Sequence, residues 1–307
     1  MAYNQFGSDE ERQRFNEASE ESVRRGGLPL NAMGRLQEQA KRMGTPAEFF
    51  SSDLSANELL LTHECGFEPV GQVMGSSVYN VGYQYLPTGS WYSMGSGELA
   101  VITQAHYDAR NLAFGRLRQE AKLLKADGVV GVRFTMKGGD WAEHVIEYQA
   151  VGTAVRRTHA PPSVGLEPFV SNLSGQEHWM LRKSGYKPVG FSFGNCTWMQ
   201  YPDWRANSWF NTELPGLTQA LYNARTLAME RMAEETRRVG GVGVLNVEVA
   251  SQVHEFDVDS GGGSSQRYYI FTFTSFGTAV APEADVEDRQ SRLVVSLSDP
   301  VIGSIHP

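Results

Sequence analysis

Cysteine is scarce in this 307-residue chain, basic patches and long apolar runs are missing, and each shortage removes a class of protein. The two cysteines, Cys65 and Cys196, stand far apart in a chain with no apolar leader, which argues for a reducing compartment over a disulfide framework. No stretch approaches the roughly 18 consecutive apolar residues that a helical span requires, so membrane insertion is not expected and the chain is placed in the cytoplasm. Net charge is -8 with Lys and Arg scattered, which leaves no electropositive face for a phosphate backbone, and nucleic acid is not an expected partner. Gly-x-Ser-x-Gly, His-Glu-x-x-His and Walker signatures are absent, as is any Cys/His pairing at a usable spacing. The sequence names no reaction.

What is present is said twice. Tyr107, Ala109, Arg110, Leu112, Ala113, Arg116, Glu120, Gly128, Val129 and Val132 recur at one unchanging offset as Tyr222, Ala224, Arg225, Leu227, Ala228, Arg231, Glu235, Gly243, Val244 and Val247. Ala109, Ala113, Leu117, Ala121 and Leu124 lay an apolar stripe along a helix, and Gly128-Val-Val-Gly-Val reads as the buried strand that follows. Ahead of each helix, Leu54-Ser55-x-x-Glu58 and Leu173-Ser174-x-x-Glu177 are capping boxes that open short helices closed by Gly66 and Gly185. Strands carrying paired glycines follow, Gly71 with Gly75 and Gly190 with Gly194, a spacing that marks bulges or close backbone packing and not a phosphate loop. Each copy ends in a hairpin that closes on Gly152-Thr-Ala-Val155 or Gly277-Thr-Ala-Val280, the second with a Gly/Ser insert around 260–265.

The expected class is therefore α+β, a tandem repeat of two units, each a small β-sheet packed by one main helix. An N-terminal helical segment (1–50) precedes the first unit (51–158), a Pro-rich linker (159–170) leads to the second (171–282), and a tail (283–307) follows. In the N-terminal segment, Ser8-x-x-Glu11 caps one polar helix, and Asn31 is expected to cap a second with a Met33, Leu36, Ala40, Met43 seam suited to docking on a domain or a partner protein. In the tail, Leu293–Leu297 reads as a strand able to pair with a sheet edge.

Tyr107-x-x-Arg110-x-x-Ala113, the run Ala126-Asp-Gly-Val-Val-Gly-Val132 and the closing Gly152-Thr-Ala-Val155 resemble the YbjQ-like family of small bacterial proteins, often labelled heavy-metal-binding domains. The resemblance spans both copies and implies a dodecin-like fold whose subunits form rings, typically pentamers. It implies no established reaction.

Candidate sites fall into three groups. Aromatic loops before the central helices, with Tyr85, Trp91 and Tyr92 in the first copy and Trp198, Trp204 and Trp209 in the second, are ligand or interface candidates. Arg110 and Arg225 lie on or beside the helix stripe, where a guanidinium needs a carboxylate partner or an anion. Glu255, Asp257 and Asp259 alternate along a strand and share a face that could attract a divalent metal. His63-x-Cys65 fails as a chelating pair, because residues two apart on a helix point to nearly opposite sides.

These residues support a non-catalytic, ring-forming assembly protein without a cofactor. The alternatives are a metal-binding module and a small-molecule or enzymatic pocket between subunits. Two-unit chains cannot make an odd ring in one tier, so the expected homo-oligomer is a pentamer of chains in two stacked tiers, or else a trimer closing an even ring.

Overall fold

A computed structural model describes residues 8–45, 49–81, 96–138, 145–158, 167–201, 211–259 and 265–283. The expected aromatic residues Tyr85, Trp91, Tyr92, Trp204 and Trp209 lie outside the described residues. So do most of the linker, the tail beyond Glu283, the Gly/Ser insert at 260–264 and the strand expected at 293–297.

The chain is α+β, with six helices and two four-stranded sheets among the described residues. Helices α1 (Asp9–Arg24) and α2 (Leu30–Arg42) come first. Ser8 accepts the Glu11 amide as expected, whereas α2 begins two residues earlier than the asparagine reading required. Pro29 holds the N-cap position and Asn31 sits inside the first turn, where its Oδ1 accepts from the Ala32 amide. A proline already fixed near φ -57° starts the helix without a side-chain cap.

The first sheet has the order β1 (Phe67–Asn80), β4 (Val145–Arg157), β3 (Gly128–Gly138), β5 (Phe169–Val170). The second has the order β2 (Gly97–Glu98), β6 (Tyr186–Gln200), β8 (Ser265–Pro282), β7 (Gly243–Asp259). Helices α3 (Ala56–Glu64) and α4 (Ala100–Leu123) belong with the first sheet, and α5 (Gly175–Lys183) and α6 (Pro215–Arg238) with the second. Ser55 and Ser174 each form a full capping box with the glutamate three residues on.

The glycines expected to mark bulges or close packing do both. Pairing slips between Pro69 and Gly71, and between Pro188 and Gly190. A methyl group at Gly75 would fall 1.9 Å from the Ala113 carbonyl oxygen, and one at Gly194 equally close to that of Ala228, so each long helix lies directly on strand backbone.

Each sheet also lends a short strand to the other. β2, from the chain just before α4, pairs with β6 of the second sheet, and β5, from the chain before α5, runs parallel to β3 of the first. The halves therefore share one core, in which Ala109, Ala113, Phe114 and Leu117 of α4 are continuous with Phe191, Phe193 and Phe276. β1 alternates between buried and open positions, while β6 is buried on both faces from Gly190 to Thr197. The difference follows from packing: the outer face of β6 packs against α4 and β3, and among the described residues the outer face of β1 has no such helix and strand over it.

Candidate functional site

The most organised polar cluster lies where α4 meets the second sheet. Four side chains in or just before α4 face that sheet because they fall on one side of the helix, beside the stripe that packs on β1. Glu98 forks onto Arg231, with Nη1 to Oε1 at 2.7 Å and Nη2 to Oε2 at 2.8 Å. Thr103 Oγ1 accepts the Thr197 amide at 3.0 Å, and Tyr107 Oη accepts the Asn195 amide at 3.2 Å. Arg110 Nη2 donates to both oxygens of Glu235, at 2.7 and 2.9 Å.

The buried guanidinium of Arg110 also lies over the rings of Phe193 (5.0 Å) and Tyr107 (5.8 Å), which stabilise a cation stripped of water. Arg110 and Arg225 occupy the same place in the sequence pattern and different places in the structure. Arg110 has the carboxylate partner it was expected to need, from the other half of the chain. Arg225, expected to need one too, is exposed and has none among the described residues, since no second sheet covers that side of α6.

Electrostatics follow from these contacts. The Arg231 fork holds the Glu98 carboxyl below its ordinary range, with burial pushing the other way. Burial raises the Tyr107 phenol. His106 Nδ1 lies 2.7 Å from Tyr148 Oη in the core, and burial lowers its pKa to about 4, so the ring is neutral at pH 7. His178 is likewise pushed to about 4 by burial, wedged between Phe67 and Phe169.

Trp198, expected in a loop, belongs to β6, which runs on to Gln200 because its partner β8 continues to Tyr269. It packs with Cys196, Leu217 and Leu221, and its buried Nε1 has no acceptor among the described residues. Glu255, Asp257 and Asp259 alternate along β7 opposite Tyr269, Arg267 and Ser265. Glu255 Oε2 is 3.6 Å from Arg267 Nη1, and the side chains of Asp257 and Asp259 are not among those described. Exposed His63 and buried Cys65 diverge as helix geometry requires. Both cysteines are free and buried, and burial drives the Cys196 thiol up to about 12. Among the described residues no three His, Cys, Asp or Glu side chains are grouped to hold a metal. No helix among them is long and apolar enough to cross a membrane.

Sequence reading singled out Arg110 and missed Glu98, Thr103 and Glu235 as its companions at the interface. A signal was available: Glu98, Thr103, Tyr107 and Arg110 reappear as Glu213, Thr218, Tyr222 and Arg225 with the same spacing.

Comparison with known proteins gives three relatives. A family model described as "Putative heavy-metal-binding" matches residues 67–158. The chain is 40% identical over 250 residues to an encapsulin nanocompartment protein of Mycobacterium tuberculosis, a match covering 78% of this chain and 89% of that protein. It is 41% identical over 91 residues to a UPF0145 protein of Halorubrum lacusprofundi, covering 29% of this chain and 84% of the relative. A UPF0145 protein of Pseudothermotoga lettingae is 29% identical over 103 residues, covering 34% and 94% respectively. No solved structure matches.

Proposed function

We propose, because this chain belongs to the YbjQ-like family, that it is a non-catalytic scaffold that assembles with copies of itself in the cytoplasm. On this reading residues 51–158 and 171–282 are tandem copies of one dodecin-like unit. Support comes from the capping boxes, the paired bulges and the helix-on-glycine contacts, which recur in both halves. The relative from Mycobacterium tuberculosis is named for a nanocompartment, itself an assembly, and we extend the assembly role to this chain.

One observation carries the reading. The two halves meet head to tail: the Glu98–Arg110 side of α4 fits the Arg231–Glu235 side of α6, two different surfaces. A contact of that kind repeats, and closes into a ring if its rotation permits. Because both halves would then lie in one tier, the geometry favours an even ring of three chains over the stacked pentamer expected from the sequence. Native mass spectrometry at micromolar protein tests this. Three chains support the single tier, five chains restore two stacked tiers, and a monomer at every concentration removes the assembly role.

The description of the matched family model supports a second reading, a metal-binding module whose ligands would include Glu255, Asp257 and Asp259. Elemental analysis of protein purified without chelator separates the two, a stoichiometric metal favouring the module.

A further inference from the structure

Resting on the assembly reading, we infer that the groove between α6 and β7 is a docking surface for a second copy of this chain, and that it takes the outer face of that copy's β1. The intrachain interface is the template. In the first half, Glu98, Thr103, Tyr107 and Arg110 all spend their polar atoms on the second half. Glu213, Thr218, Tyr222 and Arg225 repeat those residue types and that spacing around the start of α6. There, among the described residues, their side chains hold nothing outside their own helix end. Tyr222 is 55% exposed, Arg225 is exposed and unpaired among the described residues, and the exposed Glu213 carboxylate accepts from Thr218 Oγ1 at 3.1 Å. Four polar residues set out for an interface stand at an open surface.

The apolar floor beside them is also laid open. Val132 and Phe134 on β3 are 2% and 6% exposed because the second sheet covers them. Their counterparts on β7, Val247 and Val249, are 42% and 56% exposed. At the next strand edge the ring of Phe169 lies against Gly128, whereas a Cβ at the corresponding Gly243 would meet nothing within 4 Å. Phe50, which precedes its capping box as Phe169 does, is 45% exposed and is the group that would fill that space from another copy.

The complementary socket exists on the first half. Glu120 accepts the Met74 amide at 2.8 Å as Glu235 accepts that of Phe193 at 2.9 Å. Arg116 Nη1 donates to the Ser76 carbonyl as Arg231 Nη1 does to that of Asn195. Val78, at the place of Thr197, is 72% exposed on a strand that ends its sheet. Within one chain the polar end of this socket is occupied by the N-terminal helices: Arg116 donates to the Val23 and Gly27 carbonyls, and Arg35 lies 3.5 Å from Glu120. An incoming copy replaces those carbonyls with the Glu213 carboxylate and Arg35 with Arg225, exchanging neutral acceptors on Arg116 for a charged one. Gln72 and Met74 stand where Phe191 and Phe193 stand in the intrachain contact, so the contact between copies is weaker and concentration-dependent.

The test is a cross-link in the full chain. Thr103 and Thr197 touch within the chain, so Thr218→Cys and Val78→Cys together place thiols at the corresponding contact between copies, while Cys65 and Cys196 remain buried. Mild oxidation is expected to give a ladder of chains on a non-reducing gel from the double variant and from neither single variant. Adding Arg225→Glu is expected to abolish the ladder. Phe50→Asp, also at an exposed position, is expected to weaken association by on the order of 10-fold or more while leaving the melting temperature unchanged at concentrations that keep the chain monomeric. Oligomers by native mass spectrometry without a ladder would overturn this surface and leave the assembly reading standing. Monomers without a ladder would overturn both.

Discussion

At the scale of single residues, Arg110 and Arg225 make a controlled pair: same side chain, same helix position, opposite surroundings. Truncating Arg110 strands a largely buried Glu235 carboxylate, so Arg110→Ala is expected to cost about 3 kcal/mol. Arg225→Ala, in the isolated chain, should stay within about 0.5 kcal/mol of the parent. Urea titrations of both variants at a concentration that keeps the chain monomeric check this, and equal effects would contradict the asymmetry. His106 and His178, both lowered by burial, share the pH dependence, and His106 shows its sign. Its folded-state pKa is about 4, below the ordinary 6.5, so the unfolded chain takes up the proton first. Stability is full above about pH 6.5 and falls as pH drops towards 4, by about 3 kcal/mol from this group. His106→Leu, the residue found at the corresponding position 221, should flatten that part of a stability–pH curve. The need of Arg110 for a partner was legible in the sequence only on the premise that its side of the helix is covered, as the exposed Arg225 beside the same stripe shows. The identity of Glu235 was not, because it depends on how two halves pack.

At the scale of elements, local signals were read well and borrowed ones were not. Ser55 and Ser174 announce their helices through interactions three residues long, and Gly75 and Gly194 announce close packing because no side chain fits. β2 and β5 are two residues each and owe their existence to strands of the other half, so no local pattern encodes them. Trp198 has the local signature of a loop residue for the same reason, its strand being prolonged by the length of β8. Asn31 has a capping side chain in a place where Pro29 had already fixed the backbone. The glycine contacts give the element-scale prediction. Gly194→Ala puts a methyl into the Ala228 carbonyl, and neither strand nor helix backbone can yield as a side chain could. A loss of about 2–4 kcal/mol is expected, with the helix lifted off the strand. Gly115→Ala, at a position on α4 with open space beside it, is the control and should stabilise slightly by helix propensity. Thermal melts of the two variants compare them directly.

At the scale of the whole molecule, the account turns on an asymmetry between halves that otherwise correspond. The first half presents its α4 face to the second, which covers it; the second presents the corresponding α6 face to nothing in the described chain. The repeated Glu, Thr, Tyr and Arg on that open face give it the polar contacts of the intrachain interface, and the N-terminal helices hold the matching socket until a copy arrives. The Glu98–Arg231 fork adds an acid limit. A depressed carboxyl pKa contributes stability that is present above the ordinary carboxylate range and lost as pH falls through the folded-state value, so the halves, and any assembly built on the same contact, loosen in acid. The central claim is self-association through the α6 face, and sedimentation velocity of the full chain beside its Arg225→Glu variant, across micromolar concentrations at neutral pH, tests it most directly. The parent should sediment as a multimer of the 34.0 kDa chain and the variant as a monomer; identical sedimentation of the two, whether as monomers or as multimers, would rule out self-association through this face.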